Sequence, residues 1–455
     1  MSEAGGLFAG IFARGGVDVC DAAWLQAMLD TEAALARSLE RAGLAADGAG
    51  AAVTAAAKAA NFDVSDLGRQ APLTGNPVPA LVRALAGKLP RAAAAAVHQG
   101  ATSQDIIDTA MMLLAKTALG VVLADLEAAA GAAAELAAEH EATLMIGRTL
   151  LQQAVPVTFG LVAAGWMTGL DEARKALAVL AHERLAVQFG GAAGTLASLG
   201  AAGPRVAALL ADELGLAEPV LPWHTNRLRI LELAAALAGV AAASGKIARD
   251  VTLLAQTEVG EVREGEGEGD GVQRGGSSAM PHKRNPVAAV AILGCSRQVP
   301  GLLATLAASA EQEHQRAAGA WHAEWQPLAG LLRLTGSAAS WCAEMLAGLD
   351  VDAAAMRANL DASGGLPLAE RVTAVLAPGL GRLAAHDLVA EAAARAASTG
   401  RPFREVLLDA DAGISAKQID AALDPSGYLG AAAEFVSRAL AAHRETGTAL
   451  AHLGS

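Results

Sequence analysis

Residues 227–254 read RLRILELAAALAGVAAASGKIARDVTLL. Ile230, Leu233, Leu237, Val240, Ser244, Ile247, Val251 and Leu254 follow one another at alternating steps of three and four. That is the period at which side chains return to one face of an α-helix. No proline interrupts the run, and alanine and leucine dominate it; both are strong helix formers. The helix-compatible stretch continues to about residue 262, which makes a helix roughly 50 Å long at 1.5 Å per residue. A helix of that length cannot bury itself inside one compact monomer. It demands a long bundle, completed by other copies of the chain.

Stretches of the same kind lie at about 105–143, 156–187, 286–309 and 326–348. β-branched and aromatic residues are scarce, with aromatics at 3%, so strands are disfavoured and the fold class is all-α. Asp21 is placed to cap a helix that carries Trp24, Met28, Thr31 and Leu35 and closes at Gly43. Pro72, Gly75, Pro77 and Pro79 mark a loop before a further helix. Beyond the LDASGGLPLAERV stretch the chain reads as a smaller helical unit. The reading is three domains: an N-terminal one over 1–108, a central long-helix bundle over 109–360, and a C-terminal one over 361–455.

Composition narrows the function. The 455-residue chain has a net charge of −13, against a nucleic-acid partner, although a local cluster of basic residues can still bind an anion. Cys20, Cys295 and Cys342 are odd in number and lack metal-ligand spacing, so neither a disulfide framework nor a zinc site is expected. The opening MSEAGGLFAG lacks the pattern of a signal peptide, which fits a cytoplasmic location. Thr149 to Leu170 carries no formal charge but reads as a buried core helix, not a membrane span.

Three islands of polar residues break the apolar pattern. In VHQGATSQDIIDTA (97–110), Gly100 is followed by Thr102, Ser103, Gln104 and Asp105. Locally this is a helix start, with Thr102 or Ser103 as cap; as a site it offers N–H groups and hydroxyls to an anion. In MIGRTLLQQAVPVTFG (145–160), Arg148 and Thr149 stand beside Gly147, ahead of a helix expected from about Pro156. A glycine loop follows, in which Gly190, Gly191 and Gly194 permit close backbone approach. The third island is GSSAMPHKRNP (276–286), preceded by a tract rich in glycine and acidic residues. A segment of this kind carrying Ser277, Ser278, Lys283 and Asn285 suits a lid that closes over substrate.

GSSAMPHKRNP resembles the signature of the fumarase/aspartase superfamily, G-S-S-x-M-P-x-K-x-N-P, at every fixed position. HQGATSQDIIDTA (98–110) and GRTLLQQA (147–154) are similar to its other two regions, in the same order. The resemblance implies an α-helical homotetramer of three-domain chains, with each active site assembled from three subunits. It also implies β-elimination chemistry, most often the release of fumarate from a succinyl compound. WHTNRLRILELA (223–234) and AAGAWHAEWQPL (317–328), with the stretches above, resemble the branch of the superfamily that closes an acyclic tricarboxylate to a lactone.

By this resemblance Ser277 handles the carbon-bound proton, Lys283 stabilises the aci-carboxylate, and Asn285 hydrogen-bonds the same group. His98 orients a carboxylate or donates a proton. Arginines suit the substrate's carboxylates: Arg148 and Arg316 come first, ahead of Arg227, Arg229 and Arg284. Thr102, Ser103, Thr195 and Ser278 serve as neutral donors. His224, His314 and Glu324 are left without an assigned role. Amine-eliminating members read G-R-T-H where this chain has Leu150. A leucine cannot move a proton, and a carboxylate, which leaves as an anion, needs no acid to help it. No metal or cofactor is expected, and the partners are a small tricarboxylate and other copies of the chain, with neither nucleic acid nor membrane.

Overall fold

The computed structural model describes residues 6–265, 275, 276, 280, 282–410 and 413–453. Ser277 and Ser278, and most of the glycine-rich tract, lie outside the described residues. An N-terminal helix, α1 (Asp21–Arg41), leads into the body of the molecule. Asp21 is its first helical residue, and Cys20 occupies the cap position, so the expected aspartate cap is one residue off.

Five helical passes form the centre. They are α2 (Ser103–Glu139), α3 (Phe159–Glu183), α4 (Leu228–Leu254), the pair α5 (Val287–Ser296) and α6 (Val299–Ala308), and α7 (Ala320–Ala347). The seam read from the sequence is buried throughout: Ile230, Leu233, Leu237, Val240, Ser244, Ile247, Val251 and Leu254 all face the core. The expected helix at 286–309 is broken, because Pro300 in the first turn of α6 has no N–H with which to continue the ladder from α5. The final pass starts at Ala320, six residues earlier than expected.

The larger difference lies between α2 and α3. Residues 149–170 are not one helix. Leu144–Thr149 (β1) and Gln152–Thr158 (β2) pair antiparallel, and α3 begins only at Phe159. Val155, Val157 and Thr158 are β-branched residues that favour this extended pairing. A second two-stranded ribbon joins β3 (Val262–Glu264) to β4 (Leu349–Val351), just beyond the ends of α4 and α7.

Apolar packing falls into three clusters. The largest is made by α2 to α7. A second gathers α1 and the N-terminal helices around Leu29, Leu81 and Leu85, with Trp321 reaching into it from α7. A third, around Val372, Phe403 and Ile419, belongs to the C-terminal helices. The last helix, α8 (Ala432–Leu453), lies back along α3. Ser103–Glu139, Leu228–Leu254 and the Val287–Ala308 segment are long and apolar enough to cross a membrane. Two thirds of the apolar window of the first is buried within the chain, but under half of the windows of the other two.

Candidate active site

The first island builds a dense polar knot at the start of α2. Asp105, in the first turn, is almost wholly buried. Its two oxygens accept from the N–H groups of Thr102 at 2.9 Å, Gly190 at 3.0 Å and Gly191 at 2.9 Å, and one of them lies 2.7 Å from Nε2 of His224. One carboxylate thus caps the helix, ties down the glycine loop and holds a buried histidine. Glycine is required here: a Cβ on Gly191 would lie 2.9 Å from the carbonyl oxygen of Gly100, which itself has a φ of +82°.

Arg316 reaches the same knot from the loop before α7. Its guanidinium donates to Oγ1 of Thr102 and, at 3.3 Å, to Oε1 of Gln104. Ser103 is half-buried and Thr195 is exposed beside Gly194. His98 stands just ahead of the knot at a φ of +60°. Its N–H donates to Oε2 of Glu32 at 2.8 Å, and its Nδ1 lies 2.7 Å from Oε1. Burial works against the charge on His98, but the hydrogen bond and charge of Glu32, with Asp105 adding to them, outweigh it and raise the imidazole above its ordinary value. The structure therefore brings together His98, Thr102, Ser103 and Arg316, with His224 bonded to Asp105, while Thr195 is exposed on the glycine loop that Asp105 ties down.

Arg227 is not available to a substrate. It is completely buried between Asp108, at 2.7 and 3.1 Å, and Glu324, at 2.6 to 3.1 Å. Trp321 Nε1 donates to Asp108 and Gln312 donates to Glu324. Burial resists the charge on Arg227, but the two carboxylates overcome it and push its value up; burial in turn lifts Glu324. Because Asp108, Arg227 and Glu324 belong to the starts of α2, α4 and α7, this triad pins three long helices at one end. Arg229 donates instead to the carbonyl of Arg184.

The second island and the described residues of the third sit at the opposite end of the bundle. Arg148, on β1, makes a bidentate pair with buried Glu261 at 2.9 and 2.7 Å, and Asn359 donates to the same carboxylate. Arg148 follows the end of α2 and Glu261 follows the end of α4. The base of the signature loop lies there too. Asn285 donates to the carbonyl of Gly275 through its backbone N–H at 2.9 Å and its side-chain amide at 3.1 Å. Glu264 accepts from the N–H groups of Ala288 and Ala289 and so caps α5. Lys283 and Arg284 are exposed. A cavity of about 250 Å³ at this base is lined by Arg263, Glu264, Arg284 and Asn285. A larger cavity, about 570 Å³, lies between the N-terminal helices and α7, lined by Trp24, Met28, Leu81 and Trp325, away from the three islands' polar side chains.

Along α4, 27 residues at 1.5 Å each separate the two ends by about 40 Å. Within one chain, His98, Thr102 and Arg316 therefore cannot meet Lys283 and Asn285. Of the buried carboxylates, motif reading misses Glu32 and Glu261, leaves Asp108 unremarked inside the first island, and singles out Glu324 without a role. For Glu32 the only sequence signal is a charge at an otherwise apolar helix position, which a solvated face produces equally well, and Glu261 stands in the connection between α4 and β3 with no periodicity to mark it. Leu150 and Leu151 form the tip of the β1–β2 hairpin. Both have positive φ, 51° and 64°, and they are 96% and 74% exposed.

The chain matches the lyase family over residues 19–301 and the adenylosuccinate lyase C-terminus over residues 365–439. It is 48% identical over 426 residues to a 3-carboxy-cis,cis-muconate cycloisomerase of Bradyrhizobium diazoefficiens, covering 92% of this chain and 94% of that one. It is also 48% identical over 436 residues to a nitrosuccinate lyase of Streptomyces davaonensis, covering 93% and 91%. The crystal structure of a 3-carboxy-cis,cis-muconate lactonizing enzyme from Pseudomonas putida superposes with a TM-score of 0.90 at 42% identity, over 97% of this chain and 99% of that one.

Proposed function

The chain belongs to the lyase family, and from that premise we propose that it is a 3-carboxy-cis,cis-muconate cycloisomerase, a cytoplasmic enzyme of protocatechuate breakdown. The observation that carries this reading is likeness over almost the whole chain, in sequence and in fold, to cycloisomerases. The reaction is a reversible lactonisation. A carboxylate oxygen of the substrate adds to the neighbouring double bond, and the carbon next to the activated carboxylate gains a proton. The product is 4-carboxymuconolactone.

In this mechanism Ser277 delivers the proton to carbon and, in reverse, its alkoxide removes it. Lys283 and Asn285 hold the aci-carboxylate whose negative charge develops at that moment. Arg316, Thr102, Ser103 and His98 bind carboxylate at the far end of the bundle, with Thr195 and Ser278 as further donors. Arg148 serves this role only by exchanging its pair with Glu261 for a substrate carboxylate. The two ends of the bundle meet when copies pack side by side and antiparallel, and the functional unit in this reading is a homotetramer with active sites shared between subunits. The incompletely buried apolar faces of α4 and of the α5–α6 pass support that assembly, as does the exposed leucine tip of the hairpin. Domains over 1–108, 109–360 and 361–455 are supported by a separate C-terminal apolar cluster, while the other two clusters each draw residues from both sides of the first boundary.

A second reading, lyase action on nitrosuccinate, is favoured by the relative of equal identity. Leu150 does not separate the two, since nitrite, like a carboxylate, leaves as an anion that needs no proton. It does count against adenylosuccinate, whose amine leaving group benefits from one. The test is an ultraviolet assay with 3-carboxy-cis,cis-muconate, nitrosuccinate and adenylosuccinate in parallel. Rapid loss of the diene absorbance with the other two untouched supports the cycloisomerase. Fumarate formed from nitrosuccinate alone overturns it.

A further inference from the structure

Glu32 is a completely buried carboxylate on α1, in the middle of an apolar helix face. Burying a carboxylate costs several kcal/mol unless its oxygens are satisfied, and Glu32 uses both oxygens on one residue, His98. His98 in turn holds a left-handed backbone at a φ of +60°, a conformation that costs a non-glycine residue about 1–2 kcal/mol. Two unfavourable features therefore meet at one contact, four residues ahead of the polar knot that begins at Thr102. Loop anchoring alone needs only the backbone N–H bond. The second bond, to Nδ1, fixes the ring itself.

We infer that Glu32 is a positioning residue: it holds His98 with Nδ1–H donating to the carboxylate and presents Nε2–H, as an imidazolium, to a substrate carboxylate. The inference rests on the reading of His98 as a substrate-binding or proton-donating group. With Nδ1 engaged, Nε2 is the ring nitrogen left for substrate, and it has no hydrogen-bond partner among the described residues. The bond to Nδ1 selects the tautomer, and the adjacent negative charge favours the cation. The charged groups around His98 are Glu32 on α1 and Asp105 on α2, the latter bonded to His224, with Arg316 on the facing loop held by Thr102 and Gln104.

Two measurements on the intact enzyme and its Glu32→Gln variant test this. The first follows the His98 ring by ¹⁵N nuclear magnetic resonance without substrate, assigned by difference from His98→Gln. The second follows kcat/KM against pH. Glutamine preserves shape and can still accept from Nδ1–H, but it carries no charge. Expected in Glu32→Gln is a His98 titration midpoint lower by about one pH unit, the lower end of the effect of losing an adjacent opposite charge. The basic limb of kcat/KM moves down with it, and activity above that limb falls about tenfold. Glu32→Asp recovers part of both. A midpoint and a limb that stay where they are in Glu32→Gln overturn the inference, as does a limb that stays while the ring titration moves. His98→Gln separates the two levels: if it retains full activity, the reading of His98 itself fails, whatever Glu32 does to the ring.

Discussion

A serine hydroxyl is far too weak an acid or base to exchange a proton with carbon unless its surroundings tune it, so Ser277 is where the proposed chemistry is most exposed to test. Ser277→Ala is expected to lower kcat by about 100- to 10,000-fold, the range for losing a positioned acid or base. Binding of the lactone product, measured by calorimetry, should change only slightly. An alanine variant that turns over at the parental rate removes Ser277 from the mechanism. Arg227 tests the residues that motif reading misplaced. Arg227→Met leaves Asp108 and Glu324 buried without their cation, and breaking a buried pair from one side costs about 3–5 kcal/mol. The urea midpoint should fall accordingly, and a variant that also carries Asp108→Asn and Glu324→Gln should recover part of the loss. Arg227 looked like a carboxylate ligand because sequence records its charge but not its partners, which lie 119 and 97 residues away. Ser277, Lys283 and Asn285 are proposed on their order along the chain, not on their environment.

Among the elements, the seam of α4 could be read from periodicity, although the helix ends at Leu254 and not near 262, and the 286–309 stretch is split at Pro300. The β1–β2 hairpin could not. Its turn is Leu150–Leu151, where a two-residue hairpin with both φ positive normally takes Asn-Gly, so the usual turn signal is missing. The chain tolerates about 1–2 kcal/mol of strain per residue there and exposes two large apolar side chains. Replacing them with the residues the turn prefers separates local stability from function. Leu150→Asn with Leu151→Gly should leave helix content unchanged and relax the turn. If the tip docks on another copy, the same variant should weaken assembly in sedimentation experiments and reduce kcat/KM by tenfold or more, the equivalent of about 1.4 kcal/mol of lost contact. Unchanged assembly and activity would leave the leucine tip as an unexplained surface feature.

At the scale of the whole molecule, the decisive fact is the 40 Å, in round terms, between the two ends of the bundle. Lys283, Asn285 and Arg148 occupy one end, and Arg316, Thr102 and His98 occupy the other. A single chain thus holds all the proposed chemistry but no complete site. If copies pack side by side and antiparallel, each site takes its carboxylate-binding knot from one chain and its Ser277 from another. Two inactive variants then become complementary. Arg316→Met spoils only the knot, and Ser277→Ala spoils only the loop. When the two are dissociated together and reassembled in equal amounts, random assembly pairs an intact knot with an intact loop in roughly a quarter of the sites of a closed oligomer. Turnover should therefore reappear from a mixture whose components are each inactive, approaching roughly a quarter of the parental rate per site, while each variant reassembled alone stays silent. A mixture that also remains silent, although sedimentation confirms mixed oligomers, would mean that Arg316 and Ser277 do not serve a common site across chains. The 40 Å gap would then have to be closed within one chain, which the rigid packing of α2, α4 and α7 around the Arg227 triad forbids.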